Sequence, residues 1–331
     1  MRTKRLPGLM ASVLAVLLAA AGASAAQGAA ALGKVRIATL APGSVGCPQM
    51  SANAAFHKGF QDLGYDPPPV IEFRCFAETA ELPRLVAETI ASKPPLVVVW
   101  GTTAAVRMLH EGAPSLPIVF VNFGDPVGAG LVESLSRPGG KITGISNATD
   151  ELLAKRVEIL REALPRASRL GVLLNASSPV QQDRLRATQL AARSVNLDAR
   201  AYSALSASDL ASAFAAMKSD GMDAVVLLPD IFFYVNREQV SGLARRFRIP
   251  LMSYTTAYVD VGGLFVYAPN LDDMSHRAAT YVDKILRGSS PSDMPVELPA
   301  VFDFVVNTQA AQEMGLSLPS SILLRATRVI N

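Results

Sequence analysis

The sequence predicts an α/β protein of two doubly wound, Rossmann-like lobes, on three observations. The first is an echo. IVFVNFGDPVGAG at 118–130 and AVVLLPDIFFYVN at 224–236 are each an apolar run that stops at an acid beside a proline and leads into a helix-like stretch. Short β-branched apolar runs read as strands buried on both faces. An acid at their end lies at the carboxyl edge of a parallel sheet, where open α/β folds bind ligands. The second is a regular alternation of strand-like and helix-like stretches, the pattern of a parallel sheet covered by helices. The third is length: 331 residues exceed one comfortable core.

The first residues come in the three parts of a secretory signal peptide. Arg2, Lys4 and Arg5 form a basic start, Leu9 to Ala21 is apolar, and Ala23-Ser24-Ala25 is a small-x-small cleavage signature. Residues 1–25 are therefore expected to be removed and the mature protein to work in the periplasm. The apolar part is shorter than the ~20 residues that span a membrane, and no Cys follows it to carry a lipid. The chain has 31 Lys and Arg against 28 Asp and Glu, and loss of Arg2, Lys4 and Arg5 leaves 28 against 28. A neutral chain lacks the basic footprint of a nucleic-acid binder.

Lys34–Leu40 reads as the first strand. Ser51 caps a helix that stops at Gly64. Val70–Cys75, Leu96–Trp100 and Ile118–Phe123 follow as strands, with helices at Glu81–Ser92 and Thr103–Glu111 between them. A short Gly-rich helix is expected up to Ser136, then a turn at Arg137-Pro-Gly-Gly140, with Ile142–Ser146 leading out. The second series begins with a helix at Glu151–Leu164, capped by Asp150. It continues with strands at Arg169–Asn175, Ala199–Ser203, Ala224–Leu228, Pro250–Tyr254 and Leu264–Tyr267. Helices are expected at Pro179–Val195, Ser208–Lys218, Arg237–Phe247 and Leu271–Arg287. Phe302–Val306 is a late strand, with short helical pieces to Arg325. Cys47 falls just after the first strand and Cys75 near the end of the second. If those strands are parallel neighbours their ends meet, and in an oxidising compartment the pair either bridges or stays as two buried thiols.

The motifs favour binding over catalysis. GTT at 101–103, GDPVGAG at 124–130 and RPGG at 137–140 match neither GxGxxG nor a Walker A loop, so no cofactor is expected. His57, His110 and His276 lack metal-ligand spacing, and GISNA at 144–148 lacks the second glycine of a nucleophile elbow. Asp272-Asp273 opens a helix, which dipole capping explains. Thr102 and Thr103, at a strand end that opens a helix, are either an ordinary cap or a carboxylate site. Asp125 and Asp230 are either turn formers or acceptors for a ligand ammonium or hydroxyl. Tyr254 and Tyr267 either pack a lobe or stack on a ligand.

The segments GDPVGAGLVESLSRPGGKITGIS (124–146), PDIFFYVNREQVSGLARRFRIP (229–250), GGLFVYAPN (262–270) and YVDKILRGSSPSDMPVELPAVFDFVVN (281–307) are long and ordered. With the closing AAQEMGLSLPSSILLRATRVI, they resemble the ABC-transporter substrate-binding proteins of the tryptophan/tyrosine type. That resemblance implies a type I periplasmic binding protein: two lobes, a three-strand hinge and a ligand cleft between them. It places lobe one at 33–148 plus 268–297 and lobe two at 149–267 plus 298–331. Carried over position by position, the ligand-facing residues are Gly43, Ser44, Thr102, Thr103 and Asp125, then Asn175, Asp230 and Tyr254. Asn147 stands at the first crossing, and Tyr267 and Asn270 flank the second. PGSVGCPQM in the first loop and Cys75-Phe76 depart from the family pattern.

The implied function is an exported, non-enzymatic solute-binding protein. It would deliver a small ligand, an amino acid or related carboxylate, to the permease of an ABC importer in the inner membrane. In that reading Thr102 and Thr103 take the carboxylate, Asp125 or Asp230 the ammonium, and Tyr254 or Tyr267 the side chain. The same fold also serves ligand-sensing domains that feed a membrane receptor or kinase. A hydrolase would need an activated nucleophile or a metal that the sequence does not display.

Overall fold

Val97–Trp100 (β3) and Ala224–Leu227 (β8) are buried along their whole lengths, as uninterrupted apolar runs require. Each is the middle strand of a parallel set. The computed structural model describes residues 35–42, 47, 51–147, 149–177 and 179–331. The leader reading at 1–25, Gly43 and Ser44 lie outside the described residues, as does the side chain of Asp150.

The chain divides into two compact units. One holds the chain up to Asn147 together with Leu271–Leu298, and the other holds Ala148–Asn270 and Pro299–Asn331. In the first unit, β1 (Arg36–Pro42), β2 (Val70–Phe76), β3, β4 (Ile118–Phe123) and β5 (Ile142–Ser146) form one sheet in the order β2-β1-β3-β4-β5. Every pairing is parallel. The helices α1 (Ser51–Asp62), α2 (Leu82–Ala91) and α3 (Thr103–Gly112) come from the first segment. The second segment returns α9 (Leu271–Leu286) to the same unit. Phe56 and Phe60 of α1 and Met274 and Ala278 of α9 share one core with Trp100, Val98 and Val121. Leu82, Leu85, Val106 and Leu109 share another with Val97, Val99 and Phe120. Residues that alternate along each strand thus feed two cores, the definition of a doubly wound sheet.

The second unit repeats the plan. β6 (Arg169–Leu174), β7 (Asp198–Ser203), β8, β9 (Leu251–Ser253) and β10 (Phe265–Pro269) are parallel in the order β7-β6-β8-β9-β10. Counted from its own first strand, this is the order of the first sheet. β11 (Phe302–Asn307) then joins β10 antiparallel, and β12 (Arg328–Ile330), not expected from the sequence, joins β11 parallel. One core takes Leu153, Val157 and Leu160 of α4 (Thr149–Ala163), Ala192 of α5 (Pro179–Ser194), and residues of α10 (Thr308–Met314) and α11 (Ser320–Arg325). The other takes Leu210, Phe214 and Met217 of α6 (Ala207–Ser219) and Val240 and Leu243 of α8 (Arg237–Phe247). The edge strand β7 reads DARAYS and buries only Tyr202, so polar side chains guard the open edge.

Three sequence expectations gain detail or change. Cys47 and Cys75 are joined as a disulfide with their Cα atoms 6.0 Å apart. β1 and β2 are indeed parallel neighbours, with Ala41 opposite Cys75. The Gly-rich helix expected up to Ser136 is absent, because 125–136 is a run of turns. Asp125 Oδ1 accepts from the N–H groups of Val127 and Gly128, Gly130 takes φ +68°, and Leu131 and Val132 both donate to the Pro126 carbonyl. These bonds satisfy the backbone without a helical ladder. A short helix, α7 (Ile231–Val235), stands directly after Asp230.

Candidate functional site

A sheet in this order changes winding direction between its first and third strands. Loops at the carboxyl ends of those two strands diverge and leave room for a ligand. In the first unit these ends are Pro42 of β1 and Gly101-Thr102-Thr103 after β3. In the second they are Asn175 after β6 and Leu228-Pro229-Asp230 after β8. The structure therefore puts Thr102 and Thr103, and separately Asn175 and Asp230, at the position where such folds bind.

In the first unit Thr102 is the N-cap of α3, and its hydroxyl accepts from the Ala105 N–H at 3.5 Å. Thr103 is exposed in the first turn, where N–H groups point out of the helix and favour anions. Asp125 is exposed and stands one strand further along, after β4. Its Oδ1 holds the turn to Gly128 at 2.8 Å, and its other oxygen has no such bond among those described. Asn147 donates from Nδ2 to Asn122 Oδ1 at 3.2 Å. Asn122 was not foreseen. It sits at a β-bulge at the carboxyl end of β4 with φ +60°, a conformation that asparagine tolerates better than most residues.

The second unit carries a denser network. Asp230 caps α7, its Oδ1 accepting from Phe232 N–H at 2.9 Å. Asn175 Nδ2 donates to the same oxygen at 3.4 Å. Gln181, on α5, donates from Nε2 to the Pro229 carbonyl at 2.8 Å and reaches Asp230 Oδ2 at 3.5 Å. Arg184 Nη1 donates to that carbonyl at 3.3 Å. Tyr254 follows β9 and donates its hydroxyl to the Asp230 carbonyl at 2.6 Å, and burial holds its pKa above the usual phenol range. Tyr267 stacks on Phe302 with centroids 5.7 Å apart, so this ring packs on its own sheet. Asn270 Nδ2 donates to Asp303 Oδ1 at 3.0 Å. Asn175, Asp230 and Tyr254 are thus brought together, while Tyr267 and Asn270 spend at least part of themselves on β11.

One residue of this edge escaped the sequence reading. Arg156 of α4 is only 1% exposed, and its Nε donates to the Tyr267 carbonyl at 2.9 Å. Burial pushes its pKa down to about 10, and Tyr254, Arg184 and Tyr267 stand in its field. A signal was present. Leu152, Leu153, Ile159 and Leu160 lie four and three residues to either side of it and are all buried. This spacing sets a lone charge in the apolar stripe of a helix.

Two doubly wound units linked by three passes of the chain, each with polar groups at the winding switch, define a type I periplasmic binding protein fold. A profile of the ABC transporter substrate binding protein family matches residues 47–330, and the chain belongs to that family. Membership implies a small-molecule ligand and an ABC transporter as partner. A tyrosine-binding protein of Clostridioides difficile is 23% identical over 271 residues, which are 80% of this chain and 76% of that protein. The ABC domain from Streptococcus pneumonia, solved in complex with L-Trp, matches with a TM-score of 0.78 at 25% identity over 90% of this chain and 100% of its own. A conserved domain protein from Vibrio cholerae matches with a TM-score of 0.78 at 25% identity over 89% of this chain and 99% of its own.

Proposed function

We propose that this chain is an exported amino-acid-binding protein that hands its ligand to an ABC importer. The supporting observation is the repeated strand order, which sets Thr102-Thr103 and Asn175-Asp230 at the two winding switches. The ligand stabilises whichever conformation of the protein it binds more tightly. Relatives that bind tyrosine and tryptophan support an aromatic L-amino acid. The three-part leader at 1–25 supports a periplasmic location, and the N-terminal mass of the protein from a periplasmic extract checks it: a start after Ala25 is expected, and an intact Met1 would contradict export by cleavage.

The deciding measurement is a thermal melt with each of the twenty L-amino acids. A ligand at a hundred times its Kd adds about 2.7 kcal/mol of stability. L-Tyr or L-Trp is expected to raise the melting temperature by several degrees, and a set of twenty flat responses would remove the amino-acid reading. Asp230→Asn keeps a competent helix cap, since Asn and Asp cap about equally well. It removes the charge that strengthens a hydrogen bond to an ammonium. Calorimetry is expected to find binding weaker by about 10- to 100-fold, with an unchanged melting temperature for the free protein.

A further inference from the structure

Among the described residues Arg156 is a charge without a counter-charge. Its Nη1 is buried and has no hydrogen-bond partner, and no ion pair among the described residues includes it. A second orphan stands at the same sheet edge. Gln181 is 1% exposed, and its Oε1 is a buried acceptor with no donor, while its Nε2 is fixed on the Pro229 carbonyl. Groups of both kinds are costly to bury unpaired, a guanidinium most of all. If Arg156 served only to tether the Tyr267 carbonyl, one neutral donor would do. A guanidinium adds a planar fork of donors that matches a carboxylate.

We propose that Arg156 is the receptor for the carboxylate of the bound amino acid, with Gln181 Oε1 and Asp230 accepting from its ammonium. Resting on the functional reading above, this moves the carboxylate from Thr102-Thr103 to the second unit. The ligand would then bring the missing negative charge to Arg156 and the missing donor to Gln181. The two orphans account for each other's presence: one edge offers a donor fork and an acceptor, the complement of a zwitterion.

Calorimetry with L-tyrosine, L-tryptophan and the carboxylate-free amines tyramine and tryptamine tests it. The native protein is expected to favour each acid over its amine by on the order of 30-fold or more. Arg156→Gln should bind acid and amine alike, with the loss falling on the acid, and should melt no lower than the native protein because an unpaired buried charge is gone. Unchanged acid binding in Arg156→Gln, or an intact preference for acid over amine, overturns the inference and leaves the functional reading standing. If the native protein binds neither amino acid, the aromatic-ligand part of the functional reading falls, and the same comparison of acid with amine is made on the amino acid that raises the melting temperature. Should Arg156→Gln not fold, Arg156→Met keeps the length of the side chain without its charge, and a full preference for acid over amine in that variant would equally overturn the proposal.

Discussion

Gly144→Ala is expected to cost the first unit on the order of 4 kcal/mol, through backbone strain and a clash that no rotamer relieves. Gly144 takes φ +152°, inside the range that side chains disfavour, and lies opposite Phe120 in the β4–β5 register. A Cβ there would overlap the Phe120 carbonyl oxygen and sit 2.7 Å from its nitrogen. Both are backbone atoms of a central strand, so relief means parting β4 from β5. More depends on β5 than that pairing. The Gly144 carbonyl accepts from Glu297 N–H, Ser146 N–H donates to the Glu297 carbonyl, and Thr143 Oγ1 donates to the Met294 carbonyl. These bonds pin the segment that leaves α9. Denaturant melts should show the loss in Gly144→Ala and almost none in Gly140→Ala, where a Cβ meets nothing within 4 Å. Equal stability of the two variants would show that the strand pair yields more easily than its hydrogen bonds imply.

The parts of this fold legible in the sequence are those whose burial is symmetric. VVVW and AVVL touch a core on each face, so no polar residue interrupts them, and they announce themselves without any partner. The order in which strands lie side by side is a long-range property, and only the structure supplies it. Positions at strand ends follow from the strands, which is why Thr102, Asp230 and Tyr254 are candidates on the sequence alone, whereas Asn175 is one only through the family resemblance. Their roles did not follow, because a capping Asp and a ligand-binding Asp are the same residue at the same place, and Asp230 is observed as a cap. Arg156 was missed because its meaning lies 111 residues away, at the Tyr267 carbonyl. The short Gly-rich helix that the sequence suggests up to Ser136 is not formed. An aspartate that bonds forward to Gly128 closes a turn before a helix can nucleate.

Replacing Cys47 and Cys75 together by serine is expected to lower the stability of the first unit by about 3.5 kcal/mol, the chain-entropy value for a loop of this size. The cysteines are 28 residues apart in sequence, and the loop they close contains α1 and the turn into β2. Cross-linking it restricts the unfolded chain far more than the folded one, where the β1–β2 register already sets Ala41 beside Cys75. A melting temperature lower by on the order of 10 °C should result, and a reducing agent added to the native protein should give the same curve. A fall of less than about 1 kcal/mol would mean that the unfolded chain already holds the two segments close. The bridge also bears on binding. Gly43 and Ser44 lie in the chain between Pro42, the last residue of β1, and Cys47. Freeing Cys47 removes one of the two anchors of the segment to which the family resemblance assigns ligand contact. Affinity should therefore fall in the double serine variant even well below its melting temperature. Unchanged affinity there would take Gly43 and Ser44 out of the site.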